Sequence, residues 1–184
     1  EQRYLGGRLT PPLLAIPRFP LEQNLQYLQQ SPPVWPPSTQ GWSQLSMQLR
    51  YKASSGLRAH LQSHSELNLD IIDYPGEWLL DLPLLELSYA DWCEFSWQLF
   101  SQPHRAAASK AFKQQLSEAN LDDASELTLQ QLTEAYKTLL AEYHQTAGAY
   151  LNQPGRLLVP AELAGAPMLQ LFPLLPQQLA TMPA

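Results

Sequence analysis

The chain has 184 residues, of which 45% are hydrophobic and 15% charged, and its formal net charge at pH 7 is −6. This length is enough for one domain with a sizeable core. The acidic balance and the 11 scattered Lys and Arg residues exclude a nucleic-acid surface, which needs clustered basic side chains. The single cysteine, Cys93, excludes an intramolecular disulfide, and we expect a buried structural thiol. Every apolar run stops well short of the ~20 residues of a membrane-spanning helix.

The first forty residues are rich in proline and predict little regular structure. Residues 1–20 predict an extended lead-in, and the leucine spacing in residues 21–30 predicts a short helix. The segment 31–41, SPPVWPPSTQG, has two interpretations. It is either a Pro-rich ligand for an aromatic groove or a stiff connector whose Trp35 packs against the body of the protein, and we expect the connector.

Two segments predict strands that pair with each other. Residues 42–51 alternate between apolar and polar side chains, with the apolar face expected to be buried and the polar face solvated. Residues 67–73 alternate over a shorter stretch that ends at Asp73. Because the connection between them is compact, we expect an antiparallel hairpin. In that connection we expect a helical turn at 57–61, and we expect His60 and His64 to be surface residues and not metal ligands.

The chain after residue 76 predicts mainly helices, beginning with an apolar helix directly after the Pro-Gly turn. Ser88 and Asp91 form a capping box that opens a helix to about residue 102. Two further helices are predicted at 104–120 and 128–151, the second opened by a capping box at Thr128. We expect these three helices to form an antiparallel bundle.

These elements predict an α/β fold that is predominantly helical, with one β-hairpin and a helical insertion over residues 77–151. The expected organisation is a nucleotide-binding part over residues 1–85, a helical part over 86–151 and a Pro-rich return segment over 152–184. Within the return segment, residues 156–159 predict a short strand.

The turn at Asp73-Tyr74-Pro75-Gly76 carries the most specific chemistry in the sequence. A glycine after a strand-end carboxylate suits close approach of the backbone to a phosphate, because glycine has no Cβ. Asp-x-x-Gly resembles the switch motif of P-loop GTPases, in which the Asp holds Mg²⁺, usually through water, and the Gly amide contacts the γ-phosphate. The alternative is an ordinary strand-ending Asp-Pro-Gly turn.

Two further candidates lie on either side of this hairpin. Thr39 precedes the first strand, where GTPases place a loop Thr that coordinates Mg²⁺, an order similar to that of G-protein α subunits and Arf-like GTPases. Its alternative role is strand entry without a ligand. Glu77 follows Gly76, where many GTPases have a Gln that orients the attacking water. A carboxylate there either accepts a proton from that water or stabilises the start of the following helix.

The sequence contains no GxxxxGK[ST] motif and no base-reading Asn/Thr-Lys-x-Asp motif, so a phosphate cradle is missing. Longer strings nevertheless resemble one family, the YcjX-like proteins, a bacterial family of stress-associated P-loop NTPases. They are the lead-in string IPRF, the loop PPVWPPSTQG, the turn and helix DYPGEWLLDLPLL, and QPGRLLVP with AGAPMLQLFP near the end. The resemblance covers essentially the whole chain.

The resemblance implies a parent protein that binds and hydrolyses GTP or ATP with Mg²⁺. It implies that Asp73 and Thr39 are metal ligands, that Gly76 and Thr39 contact the nucleotide, and that Glu77 is catalytic. The P-loop of the family lies upstream, so this chain is expected to be an internal portion that is inactive alone. We also expect a protein partner that binds through the helical insertion. The expected location is cytoplasmic, and peripheral attachment to the inner membrane is left open. The alternative is a non-enzymatic helical module for protein–protein interaction.

Overall fold

The computed structural model of the chain describes residues 3–11, 15–52, 64–121, 124–146 and 151–181. The chain divides into two compact units, Glu1–Pro75 and Gly76–Ala184. The described strands lie in the first unit and most of the described helices in the second, so the predicted α/β class is confirmed. No helix among the described residues is long and apolar enough to cross a membrane.

The first unit is built on a three-stranded antiparallel sheet in the order β1 (Tyr4–Thr10), β2 (Ser43–Tyr51) and β3 (Ser65–Asp73). The predicted hairpin is therefore confirmed, with Ser43 opposite Asp73 at one end of the β2–β3 ladder. The lead-in was expected only to be extended, but it supplies β1. Helix α1 (Leu21–Leu28) follows it and begins at the predicted residue. The predicted turn at 57–61 and His60 lie outside the described residues.

The two faces of this sheet are buried differently from the prediction. Three apolar side chains that share one face of β3 are 38–49% exposed: Leu67, Leu69 and Ile71. On the other face, Gln44 and Ser46 are buried, although that face was expected to be solvated. The reason is that the lead-in runs alongside the start of β2, where Phe19 N donates to Gln44 O at 2.9 Å and Gln44 N donates to Pro17 O at 2.8 Å.

The Pro-rich segment 31–41 also departs from expectation, because Trp35 is 85% exposed instead of packed against the body. Prolines on both sides of Val34 and Trp35 remove backbone donors and keep the chain extended, so the segment cannot join a ladder. A single backbone hydrogen bond among the described residues, from Val34 N to Tyr27 O at 3.0 Å, ties it to α1.

The second unit begins with a 3₁₀ segment, Gly76–Glu86, in place of the expected apolar α-helix. Pro83 within it lacks a backbone N–H, which disfavours a regular α-helix there. Five α-helices follow: α2 (Tyr89–Phe100), α3 (Ser109–Glu118), α4 (Glu126–Gln145), α5 (Gly155–Leu158) and α6 (Pro176–Leu179). Short 3₁₀ turns at Ala161–Leu163 and Pro167–Leu169 lie between α5 and α6.

The helix starts were predicted with mixed success. The capping box of α2 is confirmed, since Ser88 N donates to Asp91 Oδ2 and Asp91 N donates to Ser88 Oγ, both at 3.2 Å. The box predicted at Thr128 is wrong, because Ser125 caps α4 by accepting from Thr128 N at 3.2 Å. The strand predicted at 156–159 is also wrong, since those residues fall in and just after α5.

The core of the second unit is formed by one apolar stripe from each long helix together with the return segment. On α4 the buried side chains of this stripe are Leu132, Tyr136, Leu139, Leu140 and Tyr143, and Leu129 is partly buried against them. Cys93 is fully buried, as expected of a structural thiol, and burial raises its pKa. The cluster comprises Trp92, Cys93, Phe100, Phe112, Leu116, Leu132, Tyr136, Leu139, Leu140, Tyr143, Leu157, Phe172, Leu174 and Leu175.

Candidate functional site

The structure brings Thr39 and Asp73 into direct contact in the first unit. Asp73 is the last residue of β3, and Thr39 lies in the loop just before β2. Because the two strands are antiparallel, the start of β2 lies beside the end of β3, with Ser43 opposite Asp73. Thr39 Oγ1 donates a hydrogen bond of 3.0 Å to Asp73 Oδ2, and both residues are partly buried. Two of the predicted site residues are therefore neighbours in space.

The donor chemistry of this pair fits Mg²⁺. The ion prefers oxygen ligands in octahedral geometry at about 2.0–2.1 Å, which places neighbouring ligand oxygens about 2.9 Å apart. The Thr39 and Asp73 oxygens, 3.0 Å apart, match this spacing once the hydroxyl proton turns away. Within the described parts of the chain, no group of three His, Cys, Asp or Glu side chains could hold a metal ion. The pair therefore supplies only part of a coordination shell.

A cavity of about 380 Å³ opens beside the pair, within the first unit. Its lining includes Asn24 of α1, the loop residues Thr39 and Gly41, and Asp73. Arg18 also lines it, and sequence reasoning assigned this residue no function. No signal within the lead-in marks Arg18, because its place follows from the backbone pairing of Pro17 and Phe19 with Gln44 of β2.

A second carboxylate on β3, Asp70, is occupied by structural hydrogen bonds. Ser46 Oγ donates to Asp70 Oδ1 at 2.6 Å and Gln44 Nε2 donates to the same oxygen at 2.9 Å. These bonds, that from Ser46 above all, lower the pKa of Asp70 because they favour its charged form. Asp70 therefore serves to hold β2 and β3 together.

Gly76 and Glu77 open the 3₁₀ segment of the second unit. No described atom lies within 4 Å of the position that a Cβ on Gly76 would take, so packing within the protein does not require glycine there. The open space leaves the Gly76 backbone accessible to a ligand. Glu77 is half-buried, and its backbone packs against Gly155 of α5.

The whole chain matches one protein family. The model of the YcjX-like family, DUF463, matches residues 1–183. The chain therefore belongs to the YcjX-like family, as the sequence strings predicted.

Two curated relatives are similar along almost the whole chain. The "Ras-like GTPase YcjX" of Shewanella oneidensis is 41% identical over 177 residues, which is 95% of this chain and 36% of that protein. The "Ras-like GTPase YcjX" of Escherichia coli K12 is 37% identical over 177 residues, which is 94% of this chain and 37% of that protein. The chain thus spans little more than a third of the length of these relatives.

Proposed function

We propose that this chain is the switch-bearing part of a longer Mg²⁺-dependent P-loop nucleoside triphosphatase that hydrolyses GTP. The observation that carries the proposal is the contact between Thr39 and Asp73, which brings an oxygen ligand from a loop beside one from a strand end at the edge of a cavity. Both relatives are named Ras-like GTPases, which supports GTP over ATP as the substrate.

In this proposal, Thr39 and Asp73 hold Mg²⁺, which when bound neutralises charge on the β- and γ-phosphates. Thr39 also senses the γ-phosphate, because loss of that phosphate removes one of the interactions that hold the Thr39 loop beside β3. The guanidinium of Arg18, which lines the same cavity, offsets negative charge on the phosphates.

The start of the 3₁₀ segment supplies the remaining groups of this chain. The backbone N–H of Gly76 donates to the γ-phosphate, which the open space beside its α-carbon permits. The carboxylate of Glu77 orients the attacking water and accepts its proton. A carboxylate in that role is repelled by the phosphate unless its charge is screened or protonated.

The proposal assigns the β- and γ-phosphate cradle to sequence outside these 184 residues, because they contain no GxxxxGK[ST] motif. Two observations support this assignment. The chain spans 36–37% of its curated relatives. The apolar residues of β3 are also 38–49% exposed, a state that a neighbouring part of a larger domain would relieve. The chain alone is therefore proposed not to hydrolyse nucleotides.

The test is Mg²⁺-dependent GTP hydrolysis by the full-length protein, comparing wild type with Asp73→Asn. Asp70→Asn is the matched control, because Asp70 lies on the same strand but bonds Ser46 and Gln44. We expect Asp73→Asn to lower kcat/KM about a hundredfold, as loss of a transition-state electrostatic contact does, with Asp70→Asn near wild type. Equal turnover by all three proteins would overturn the proposal. ATP hydrolysis, measured in parallel, shows whether the protein prefers guanine or adenine nucleotides.

A further inference from the structure

The segment 152–156, Asn-Gln-Pro-Gly-Arg, is buried in the second unit and touches both the 3₁₀ segment and the long helices. Residues 152–155 are all buried, although they link two helices and include polar side chains. Burial of polar groups is costly unless hydrogen bonds satisfy them. The partners of this segment therefore reveal what it holds together.

On one side, the segment is bonded to the 3₁₀ segment Gly76–Glu86. The carboxylate of Asp81 accepts from Gly155 N at 2.6 Å and from Arg156 N at 3.0 Å. The side-chain amide of Gln153 donates to the backbone oxygen of Leu80. The residues joined by these three bonds lie 74, 75 and 73 positions apart in the sequence. The bonds are therefore tertiary contacts and not part of local secondary structure.

Trp78 adds a further pair of contacts on the same side. Its indole Nε1 donates to Val159 O at 2.7 Å, and the guanidinium carbon of Arg156 lies 3.4 Å from the ring centroid. A cation over an indole face is attracted by the ring quadrupole. The 3₁₀ segment is thus held from both ends of α5.

Gly155 fixes the position of Glu77. A Cβ on Gly155 would overlap the backbone carbonyl of Glu77, because the two backbones are in direct contact. Any side chain at residue 155 must therefore displace the peptide that carries the Glu77 carboxylate. Glycine is required here by close approach and not by an unusual φ angle.

On the other side, the segment is bonded to the helices. Tyr136 of α4 donates its hydroxyl to Gln153 O at 2.5 Å. Arg105, which is 2% exposed, donates to Leu151 O at 2.8 Å and to Asn152 Oδ1 at 3.2 Å. Its guanidinium also lies 4.7 Å from the ring centroid of Tyr143. A buried cation is costly to separate from its acceptors, so residues 151 and 152 cannot move without Arg105.

We infer that segment 152–156 is a positioning element that sets the placement of Glu77 through Gly155 and Asp81, and couples movement of the 3₁₀ segment to α4 through Gln153 and Arg105. The catalytic meaning of this placement rests on the proposed function of Glu77, whereas the mechanical coupling does not. The coupling follows a continuous set of hydrogen bonds, Leu80 to Gln153 to Tyr136, with the Asp81 bonds beside it. The Tyr136 bond is buried, and the Leu80 and Asp81 bonds are partly buried.

The first test is a double-mutant cycle on GTP hydrolysis by the full-length protein. Gly155→Ala is expected to lower kcat about a hundredfold with little change in KM, because a shift of about 1 Å in a catalytic group has that effect. In a Glu77→Ala background, Gly155→Ala should cause no further loss of kcat, since it acts through Glu77. Losses that multiply would overturn the positioning role. Asp91→Asn, which removes the capping carboxylate of α2, is the control and should leave kcat unchanged.

The second test is hydrogen–deuterium exchange on nucleotide-free protein, which decides the coupling even if hydrolysis is absent. Asp81→Asn keeps the size of the side chain but leaves one of the two N–H groups without an acceptor, and it is the milder variant if Gly155→Ala fails to fold. We expect faster exchange in residues 76–86 and also in 132–143 of α4, with Asp91→Asn changing neither. Faster exchange confined to 76–86 and 155–159 would overturn the coupling. Absent hydrolysis by wild type, in contrast, overturns the proposed function alone.

Discussion

Thr39 Oγ1 lies 3.0 Å from Asp73 Oδ2 across 34 positions of sequence, and the hairpin between the two residues accounts for the approach. The antiparallel register places Ser43 opposite Asp73, so a loop that enters β2 must pass the end of β3. The same geometry leaves both oxygens at the edge of a cavity that Arg18 also lines. Under the proposed function, this pair provides a place for a cation next to a phosphate.

The proposed role of Arg18 in offsetting phosphate charge can be tested by mutation. Arg18→Ala is expected to lower kcat/KM for GTP in the full-length protein about a hundredfold, because a cation facing the transferred phosphate is lost. Arg8→Ala is the matched control, since Arg8 lies on β1 and its Nε donates to Gln48 Oε1 at 3.1 Å. Steady-state kinetics measures both. Similar values for Arg18→Ala and Arg8→Ala would exclude a role of Arg18 in phosphate binding.

The two tryptophans with opposite environments give a stability prediction. Trp92 is 4% exposed within the helical core, and Trp92→Ala should lower the free energy of unfolding by about 3–5 kcal/mol. Trp35 is 85% exposed, and Trp35→Ala should change it by less than about 0.5 kcal/mol. Urea unfolding of the 184-residue chain measures both. A large loss for Trp35→Ala would mean that the Pro-rich segment packs against the protein after all.

Asp81 and Asp91 predict opposite dependences of stability on pH. Burial raises the pKa of Asp81, although the backbone N–H groups of Gly155 and Arg156 and the charge of Arg156 oppose that shift. The folded state therefore binds the proton more tightly than the unfolded state. The contribution of Asp81 to stability is greatest below pH 3.8, the ordinary pKa of an aspartate. It falls as the pH rises from there through the raised pKa of the folded state.

The pKa of Asp91 is lowered, mainly by the hydrogen bond from the Ser88 hydroxyl. The contribution of Asp91 to stability is fully present above pH 3.8 and is lost as the pH falls through the lowered pKa of the folded state. Urea unfolding of wild type, Asp81→Asn and Asp91→Asn between about pH 2 and pH 7 separates the two. The difference from wild type should shrink with rising pH for Asp81→Asn and grow for Asp91→Asn. Slopes of the same sign would contradict this account of the two environments.

The parts of the fold that the sequence predicts are those set by local patterns. Alternation predicted β2 and β3. The resemblance to GTPases singled out both Thr39 and Asp73, and the antiparallel hairpin brings the two together. Ser88 with Asp91 predicted the start of α2, because a capping box is complete within four residues. These signals need no knowledge of distant contacts.

The errors arise where a distant residue decides the local structure. Residues 156–159 have the composition of a strand, but Asp81 accepts from the first two N–H groups of α5 and stabilises a helical turn. The burial of Gln44 depends on the lead-in, whose pairing with β2 has no local signature. Trp35 is exposed because no other part of the described chain packs over it. The residue pattern within segment 31–41 cannot show whether a distant segment will do so.

The most direct test of the proposed Mg²⁺ site is a Mg²⁺ titration of GTP hydrolysis by the full-length protein carrying Thr39→Ser or Thr39→Val. Serine retains the hydroxyl, whereas valine keeps the shape of threonine without the oxygen ligand. We predict that Thr39→Ser needs nearly the same Mg²⁺ concentration as wild type for half-maximal rate, and that Thr39→Val needs about tenfold more or loses activity. A Thr39→Val protein with the Mg²⁺ dependence and rate of wild type would contradict the assignment of Thr39 and Asp73 as a metal-binding pair.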